Sequence, residues 1–474
     1  MSRSDGRWAR SLAGAGVGLG LIGTALTPAS AADLGGSCCA DLEERVAELE
    51  ATTARKGTKK VDLKISGAVS RAILFWDDGK ESNVYSVDNA KSASTFAFDG
   101  EVEFAKGWRA GFTIGVDSVS ASSSLVDQFS DTGGASFFDL ADSFFFLAND
   151  RLGTVRVGQT DSATDKIDNI NLSGADIVAD NAVQDFSGSF FLRSGKGNPL
   201  SVRWEEFIPP VAGVNANLVT YISPEWMGFT ASASWGMDDW KDAALRYSGT
   251  WGQVFEVKAG IGTYQNTTKV GAPLITPGLP VVENREPVDD EGWGGSIALL
   301  HKPTGLNIAF NYNTESHTDN CSVRGTVSRE CRGDDELFYV IGGIIRELNS
   351  LGPTVFYGEY FKGTRELNES DPDRLAALEL NPLQALELED SDVTVWGFGV
   401  VQKIEDSSQS GGKKGAAKDA AAEPFMELFL GYKHYEIDVD LIGSSSPTTV
   451  VPIDVPAKKL NDFDAVVTGA IVRF

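Results

Sequence analysis

The chain contains few of the side chains that usually carry chemistry in a catalytic site. It has 474 residues but only 3 histidines and 4 cysteines. His301, His317 and His434 lie in three separate segments, no serine stands in a G-x-S-x-G motif, and the glycine-rich stretches do not match a phosphate-binding loop. We therefore expect no catalytic site, no cofactor, no bound metal and no enzymatic activity.

Long apolar runs and a surplus of positive charge are also missing. Beyond residue 31, no apolar run reaches the roughly 20 residues that a membrane-spanning helix needs, which argues against a helical membrane protein. The 67 acidic residues outnumber the 41 Lys and Arg, and the net charge is −26. A nucleic-acid partner is not expected, because proteins that bind nucleic acid carry clustered positive charge.

The N-terminal residues have the three parts of an export signal. Arginines at the start precede the apolar stretch LAGAGVGLGLIGTAL, and Ala29, Ser30 and Ala31 form an A-x-A cleavage site. The apolar stretch is too short and too rich in glycine for a membrane anchor. The sequence thus predicts a signal peptide over residues 1–31.

Export places the cysteines in an oxidising compartment, where disulfides persist. Cys321 and Cys331 enclose the short polar stretch SVRGTVSRE, which has no metal-ligand spacing, so we expect a disulfide within one loop. Cys38 and Cys39 are adjacent in the sequence and are not expected to bond to each other. A bridge between subunits and a packing role both stay open for this pair.

One stretch, residues 32–58, carries a helical pattern. Leu42, Val46 and Leu49 follow one another at intervals of four and three, which is the spacing of a coiled-coil seam. Two heptads are only marginally stable alone, so the pattern favours association between copies of this helix. A short amphipathic helix lying on its own protein is the alternative.

From residue 59 to 474 the apolar period changes to two. Leu63 and Ile65 alternate with Lys64 and Ser66, and the same alternation recurs along the sequence. The 51 glycines and 26 phenylalanines are typical of a chain of strands and turns. We predict sixteen strands. The two faces are hard to distinguish around Phe145, Val219, Ile341 and Trp396.

The connections between the predicted strands alternate in length. Those after odd-numbered strands are mostly long, as in DSATDKIDNINLSGADIVADNAVQDF, and those after even-numbered strands are mostly tight, as in AKGW and NDRLG. Long loops on one side and short turns on the other are typical of an outer-membrane β-barrel. The low-complexity insert at 405–422 is an exception, and its role stays open.

The final strand agrees with a barrel that closes on itself. It ends at Phe474 in an alternating apolar segment. If this strand pairs with the first one, no backbone edge is left in the bilayer. Phe474 is then expected on the lipid face at the periplasmic rim, among the aromatic residues that flank the apolar band.

The chain resembles the general porins of alphaproteobacteria, of the Rhizobiales type. The resemblance covers nearly the whole sequence after the signal peptide and is carried by ADLEERVAELEATTARKG, VDLKISGAVSRAILFWDDG, NDRLGTVRVGQT, GFTASASWGMDDWKDAALRYSG, ELFLGYKHYE and GAIVRF. It implies an all-β transmembrane barrel in the outer membrane, assembled as a homotrimer for passive diffusion of small hydrophilic solutes and ions. It further implies contact with outer-membrane lipid and lipopolysaccharide, and a final strand, ending at Phe474, that the barrel-assembly machinery reads.

The resemblance also implies that the connection after the fifth strand folds into the lumen and narrows it. Acids on this connection would then face bases on the wall, and the field between them would discriminate ions. We expect the acidic segment opposite Arg109 and Arg156; on an exposed loop, the acids would only aid solubility. The constriction-loop acids are Asp161, Asp165, Asp168, Asp176, Asp180 and Asp185. The pore-wall bases, from strand parity, are Lys64, Arg109, Arg156, Arg246, Lys258 and Lys433.

Two other functions stay open from the sequence. A sugar-selective channel would show a row of lumen-facing tryptophan and tyrosine side chains, and none is clear. A barrel that only anchors an envelope tether or adhesin would use the helical segment as the tether, but ~20 helical residues span only ~30 Å. The sequence therefore favours a diffusion porin.

Overall fold

The computed structural model describes residues 61–133, 137–267, 269–270, 286–287, 290–321, 329–369, 386–405, 425–444, 452–455 and 460–474. The signal peptide, the helical segment with Leu42, Val46 and Leu49, the Cys38–Cys39 pair and the insert beyond Glu405 lie outside the described residues. The expectations for these segments therefore stay predictions.

Sixteen of the described strands pair in one closed antiparallel ring, as the sequence predicts. They are β1 (Asp62–Asp77), β2 (Thr95–Ala105), β3 (Trp108–Ser118), β4 (Phe138–Asn149), β5 (Gly153–Asp161), β6 (Asn215–Ile222), β7 (Phe229–Gly236), β8 (Lys241–Trp251), β9 (Phe255–Asn266), β10 (Asp290–His301), β11 (Leu306–Cys321), β12 (Arg329–Asn349), β13 (Gly352–Glu369), β14 (Leu386–Ile404), β15 (Met426–Ser444) and β16 (Phe463–Arg473).

The other described elements are short. Further strands are Ser82–Asp88, Phe191–Arg193, Pro199–Arg203, Lys269–Val270, Glu286–Pro287 and Pro452–Val455, and 3-10 turns are Ala90–Ser92, Val183–Phe186, Trp204–Glu206 and Met237–Asp239. In this part of the chain, no helix has the length and apolar character needed to cross a membrane.

The ring closes between the first and the last strand. β1 pairs with β16 from Ala68 opposite Arg473 to Asp77 opposite Asp464. Beyond this ladder, the Phe474 N–H donates to the Gly67 carbonyl at 2.9 Å, and the Gly67 N–H donates to the Phe474 carbonyl at 3.1 Å. Closure pairs the strand edges that would otherwise lie unpaired in lipid.

Alternating side chains give each strand an outer and an inner face. On β1, Ile73 and Phe75 point outward and are 45% and 42% exposed, whereas Leu74 and Trp76 point inward and are buried. Phe474 also lies on the outer face, with 68% of its surface exposed. A continuous outer layer of apolar side chains is what a barrel in lipid requires.

The alternation is weak where both faces of a strand are apolar. On β12, Leu337, Tyr339 and Ile341 point inward and have no exposed surface, while Phe338 points outward. On β14, inward-facing Val395 is buried next to outward-facing Trp396. The faces around Ile341 and Trp396 are therefore hard to distinguish in the sequence because the inner face is dry on this side of the barrel.

The partner of β1 on its other edge is interrupted. The strand Ser82–Asp88 pairs with residues 71–77 of β1, and β2 pairs with residues 62–68. Between the two lies the segment 89–94, which contains the 3-10 turn Ala90–Ser92. We call this segment the interruption. Residues 89–92 of it fall in the connection after the first strand, where the sequence predicts a long loop.

Replacing Gly67 by alanine should weaken the seam between β1 and β16. The added Cβ would lie 2.8 Å from Phe474 Cζ and 2.8 Å from the Thr95 carbonyl oxygen, and the carbonyl belongs to the sheet backbone. Overpacking of this kind typically lowers the free energy of unfolding by about 1–3 kcal/mol. The temperature at which the folded barrel loses its compact mobility on a denaturing gel measures the effect.

Gly342→Ala is the matched control for this substitution. Its added Cβ would meet its nearest neighbour, the Asn307 carbonyl oxygen, at 3.5 Å, which is ordinary contact. Equal unfolding temperatures for the two variants would contradict the role of Gly67 in making room at the seam.

Candidate functional site: the barrel lumen

The connection between β5 and β6, residues 162–214, lies inside the barrel. Ser296 of β10 donates a hydrogen bond to the Ile167 carbonyl at 2.6 Å, and Asn313 of β11 donates to the Pro210 carbonyl at 3.1 Å. Tyr435 of β15 donates to the Val183 carbonyl at 2.8 Å. We call this connection the inner loop. Its contacts with inward-facing side chains of three strands show that it crosses the lumen.

Aromatic packing holds the inner loop against one side of the wall. Its Phe190 ring lies 5.2 Å from Trp76 of β1 and 4.8 Å from Phe463 of β16. Trp204, also on the loop, lies 5.8 Å from Tyr435. All five side chains are buried, so the apolar inner faces of these strands are covered by the loop and not by water.

A buried ion pair fixes the inner loop to the turn after β1. Arg193 donates from Nε to Asp78 at 2.5 Å and from Nη2 to Glu81 at 2.9 Å. Only 3% of the Arg193 side chain is exposed, so the guanidinium is largely shielded from water. Arginine suits this position because its planar group can serve two carboxylates at once.

Short polar side chains determine the course of the backbone over residues 171–182 of the inner loop. The Asn171 side chain accepts from the Ser173 N–H at 3.1 Å, and the Ser173 hydroxyl accepts from the Ala175 N–H at 3.1 Å. The Asp180 carboxylate accepts from the Ala182 N–H at 3.0 Å. Such side-chain turns let a chain change direction without regular secondary structure.

The start of the inner loop is pinned to β8. The Thr164 backbone N–H and hydroxyl each donate to Asp242 at 2.7 Å. Arg246 donates to the Ala163 and Asp165 carbonyls, both at 2.7 Å. Arg246, expected as a pore-wall base, therefore also positions the loop.

Two cavities lie along the inner loop, and three residues line both. Asp165, Lys166 and Asn169 belong to each lining and so mark the boundary between the cavities. Lys166 has a φ of 54°, in the left-handed region that lysine seldom adopts, and its side chain is exposed. The other charged residues of the first cavity are Asp176, Glu225, Arg246 and Lys258. Those of the second are Lys91, Asp117, Asp168, Asp180 and Asp185.

Five of the six expected acids keep some access to water in the lumen or at its edge. Asp161, the last residue of β5, accepts from Asn215 at 3.0 Å. Asp176 is exposed and accepts from Asn171 at 2.6 Å. Asp165 is partly buried, and this burial, together with the negative charge of Asp161, raises the pKa of Asp165 to about 6.

The expectation that Asp168 faces the lumen is wrong. Its side chain has no exposed surface and accepts from the Ala212 N–H at 3.0 Å. Complete burial raises the pKa of Asp168 to about 7, so much of this group carries a proton near neutral pH. Asp168 joins the two ends of the inner loop instead of presenting a charge to solutes.

The last two acids, Asp180 and Asp185, share a cation that sequence reasoning missed. Lys91, from the interruption, binds Asp180 directly and lies 3.3 Å from the Asp185 carboxylate. Burial disfavours the charged lysine, but the two carboxylates outweigh it and raise the pKa of Lys91. The only feature of the sequence that could have indicated this pairing is a lysine in a segment that is predicted to be an exposed loop.

The described contacts of Arg109 and Arg156 are with groups outside the inner loop, so their place opposite the acidic segment stays a prediction. Arg109 lies by the tight turns, 3.4 Å from Glu101 and 3.9 Å from Asp150. Arg156 lies over the Phe144 ring at 5.2 Å. Strand parity places both on the inner face, but it does not give their height along the barrel.

The remaining expected bases have different surroundings. Lys64 is exposed on the inner face, opposite Asp99 in the β1–β2 register. Lys258 lines the first cavity. Lys433 is buried and ion-paired with Glu359 in the dry part of the interior, so it is not an open pore-wall base.

The expected disulfide lies at the edge of the described region. The backbones of Cys321 and Cys331 belong to paired strands, with Cys321 opposite Arg329 and Cys331 opposite Asp319. Their side chains lie outside the described residues, so the bond stays a prediction.

Solved structures give a comparison for the fold of this barrel. An anion-selective porin from Comamonas acidovorans is 13% identical, with a TM-score of 0.50 over 88% of this chain and 100% of that one. OmpT of Vibrio cholerae, in a trimer form, is 14% identical, with a TM-score of 0.46 over 87% and 99%. Salmonella typhi OmpF is 10% identical, with a TM-score of 0.44 over 88% and 98%. The first of these shows a shared fold.

A family comparison identifies the chain more directly. No curated protein matches it. The model of the Gram-negative porin family matches residues 24–434, which is most of the sequence. The chain therefore belongs to the Gram-negative porin family, and it forms an outer-membrane channel for passive diffusion.

Proposed function

We propose that this porin is a general diffusion channel of the alphaproteobacterial type that prefers cations. The observation that carries the proposal is the charge along the inner loop. Acids outnumber bases in the second cavity, where Asp117, Asp165, Asp180 and Asp185 stand against Lys91 and Lys166 even when buried Asp168 is left out. In the first cavity the two signs balance. The path as a whole is therefore negative.

The charges that line the two cavities affect ion selectivity more than the net charge of the whole chain does, because of where they lie. Charges on exposed loops are screened beyond about 8 Å at physiological ionic strength. Charges that line a confined, partly dehydrated passage are screened less and dominate selectivity. Asp165 lines both cavities and Asp176 is exposed in the first, so these two acids are the best placed to set ion preference.

The proposed assembly is a homotrimer without enzymatic activity. The sequence resemblance supports the trimer, and porins of this family act as channels. The outward apolar face is proposed to contact outer-membrane lipid and lipopolysaccharide, and the final strand to be read by the barrel-assembly machinery. A Cys321–Cys331 bond is proposed for the hairpin that joins β11 and β12.

A sugar-selective channel is the less favoured alternative, since Tyr247 is the one aromatic residue among the described residues that line the two cavities. Such a channel would need exposed aromatic side chains along the lumen. In the described part of the chain, Trp76 and Trp204 are 3% and 1% exposed and pack within the loop core. Trp240 is also buried and stacks on Tyr264 with the ring centroids 5.4 Å apart.

Neutralising Asp165 and Asp176 together to asparagine should shift the reversal potential toward anions. The reason is that both carboxylates are replaced by neutral groups of the same shape on the solute path. Planar-bilayer recordings under a KCl gradient measure the shift. Glu387→Gln with Glu389→Gln, from the acidic segment ELEDSD, is a control with the same change in charge. Equal shifts from the two pairs would rule out the constriction role.

Cation preference should also fall as the pH is lowered from about 7 to 5. The pKa of Asp165 is raised to about 6, so its carboxylate gains a proton over this range and its negative charge is lost. An ordinary aspartate would stay ionised. The reversal potential of Asp165→Asn should vary less with pH over the same interval. A wild-type channel whose selectivity is constant between these pH values would contradict the assignment.

Replacing Phe474 by aspartate should sharply reduce the amount of assembled channel. A charge on the lipid face near the interface lowers stability by only about 0–1 kcal/mol, so a larger loss would reflect assembly. Phe425→Asp is the matched control. Phe425 is an aromatic residue just before β15, 49% exposed, whose carbonyl accepts from the Arg473 N–H at 2.9 Å. Heat-resistant trimer in outer-membrane fractions is the measurement. Equal losses in both variants would contradict a role specific to Phe474.

A further inference from the structure

The interruption and the inner loop are joined by a buried cluster of charges. Lys91 binds Asp180, lies 3.3 Å from Asp185, and donates to the Ala182 carbonyl at 2.5 Å. The Lys91 side chain has no exposed surface, whereas Asp180 and Asp185 are 14% and 20% exposed. The lysine is therefore enclosed by its partners, and the acids border the second cavity.

A second contact from the interruption supports the same stretch of the loop. The Asn89 side chain donates to the Ile177 carbonyl at 2.8 Å and accepts from the Lys91 N–H at 3.3 Å. The Ala90 N–H donates to the Ser123 hydroxyl at 3.0 Å. The interruption is thus held in place by its neighbours, and Lys91 projects from a fixed base.

The opposite side of this stretch rests on the barrel wall. Tyr435 donates to the Val183 carbonyl at 2.8 Å. Behind it, Lys433 pairs with Glu359, which also accepts from the Tyr339 hydroxyl at 2.8 Å. Residues 177–185 therefore lie between two anchors, one on the wall and one on the interruption. The acids that Lys91 holds also line the second cavity.

We infer that Lys91 is a positioning residue that holds residues 177–185 of the inner loop away from the second cavity and so sets the open width of the channel. Two partly buried carboxylates without their cation are unfavourable and gain from contact with water. The nearest water is in the second cavity, which both acids already line. Without Lys91 the stretch should move into that cavity and obstruct it. The inference rests on the channel function of the protein.

The first test removes the anchor of the inner loop without changing the net charge of the cluster. Lys91→Met combined with Asp180→Asn removes one charge of each sign, so the cluster keeps the net charge of wild type but loses its tether. Single-channel recordings should show lower conductance and more open-channel fluctuation than wild type. A conductance and fluctuation level equal to wild type in a correctly assembled variant would overturn the inference.

A second comparison remains informative if that variant does not assemble. The triple variant Lys91→Met, Asp180→Asn, Asp185→Asn carries no buried charge in the cluster. It has the same net charge as Asp180→Asn alone, in which Lys91 and Asp185 can still pair. No carboxylate is left in the triple variant to seek water, so its conductance should match that of Asp180→Asn. Lower conductance in the triple variant than in the single one would contradict the inference.

An ion pair at the turn after β10 controls for general effects. Lys302→Gln with Glu256→Gln removes a pair with a 3.6 Å contact that does not involve the inner loop. This variant should keep wild-type conductance. If it loses conductance as strongly as the Lys91→Met, Asp180→Asn variant does, the loss is a general effect of removing an ion pair, and the inference is wrong. A complete lack of channels in wild type would instead refute the channel function itself.

Discussion

The structure depends on one constraint: no backbone donor or acceptor can stay unpaired in the lipid interior. A sheet meets this constraint only if it closes, and here closure is the ladder between β1 and β16. β1 pairs on its other edge with β2 and with the strand Ser82–Asp88, so both of its edges are occupied. The outward apolar side chains stabilise the barrel in lipid only because the closed sheet leaves no unpaired strand edge.

A closed ring also encloses a space that the chain must partly fill. The inner loop fills one side, where its aromatic residues pack on the apolar inner faces of β1, β15 and β16. The other side keeps polar and charged walls, and the two cavities lie there and along the loop. The division of the lumen into a dry and a wet side determines which charges a solute meets. Asp165 and Asp176 lie on the wet side, whereas Lys433 and Glu359 lie on the dry side.

The sequence predicts the barrel well because strand periodicity and loop length are local properties of the chain. The sixteen strands, their order and the outward position of Phe474 follow from them. The inner and outer faces of the strand around Ile341 are hard to distinguish in the sequence. The inner face is buried and apolar there, so no polar residues alternate with the apolar residues of the outer face. Parity places Arg109 and Arg156 inside, but their actual neighbours depend on strand height and loop path.

Burial of individual charges is the least predictable feature, because it depends on where the inner loop packs. Asp168 stands in a polar segment and looks solvated, yet the loop folds over it. Lys91 stands in a segment expected outside the barrel, yet the interruption turns it inward to the loop acids. Neither outcome leaves a periodic signal in the sequence.

The packing of Phe190 has a consequence for the order of events during biogenesis. Its ring touches Trp76 from the first strand and Phe463 from the last, so it spans the seam from within. These two partners come together only when the sheet has closed, and the intervening chain must already be in place. An unclosed intermediate therefore leaves this aromatic cluster incomplete and wet. Seating of the inner loop and sealing of the wall are expected to be a single cooperative late step, so a narrowed channel and a finished barrel arise together.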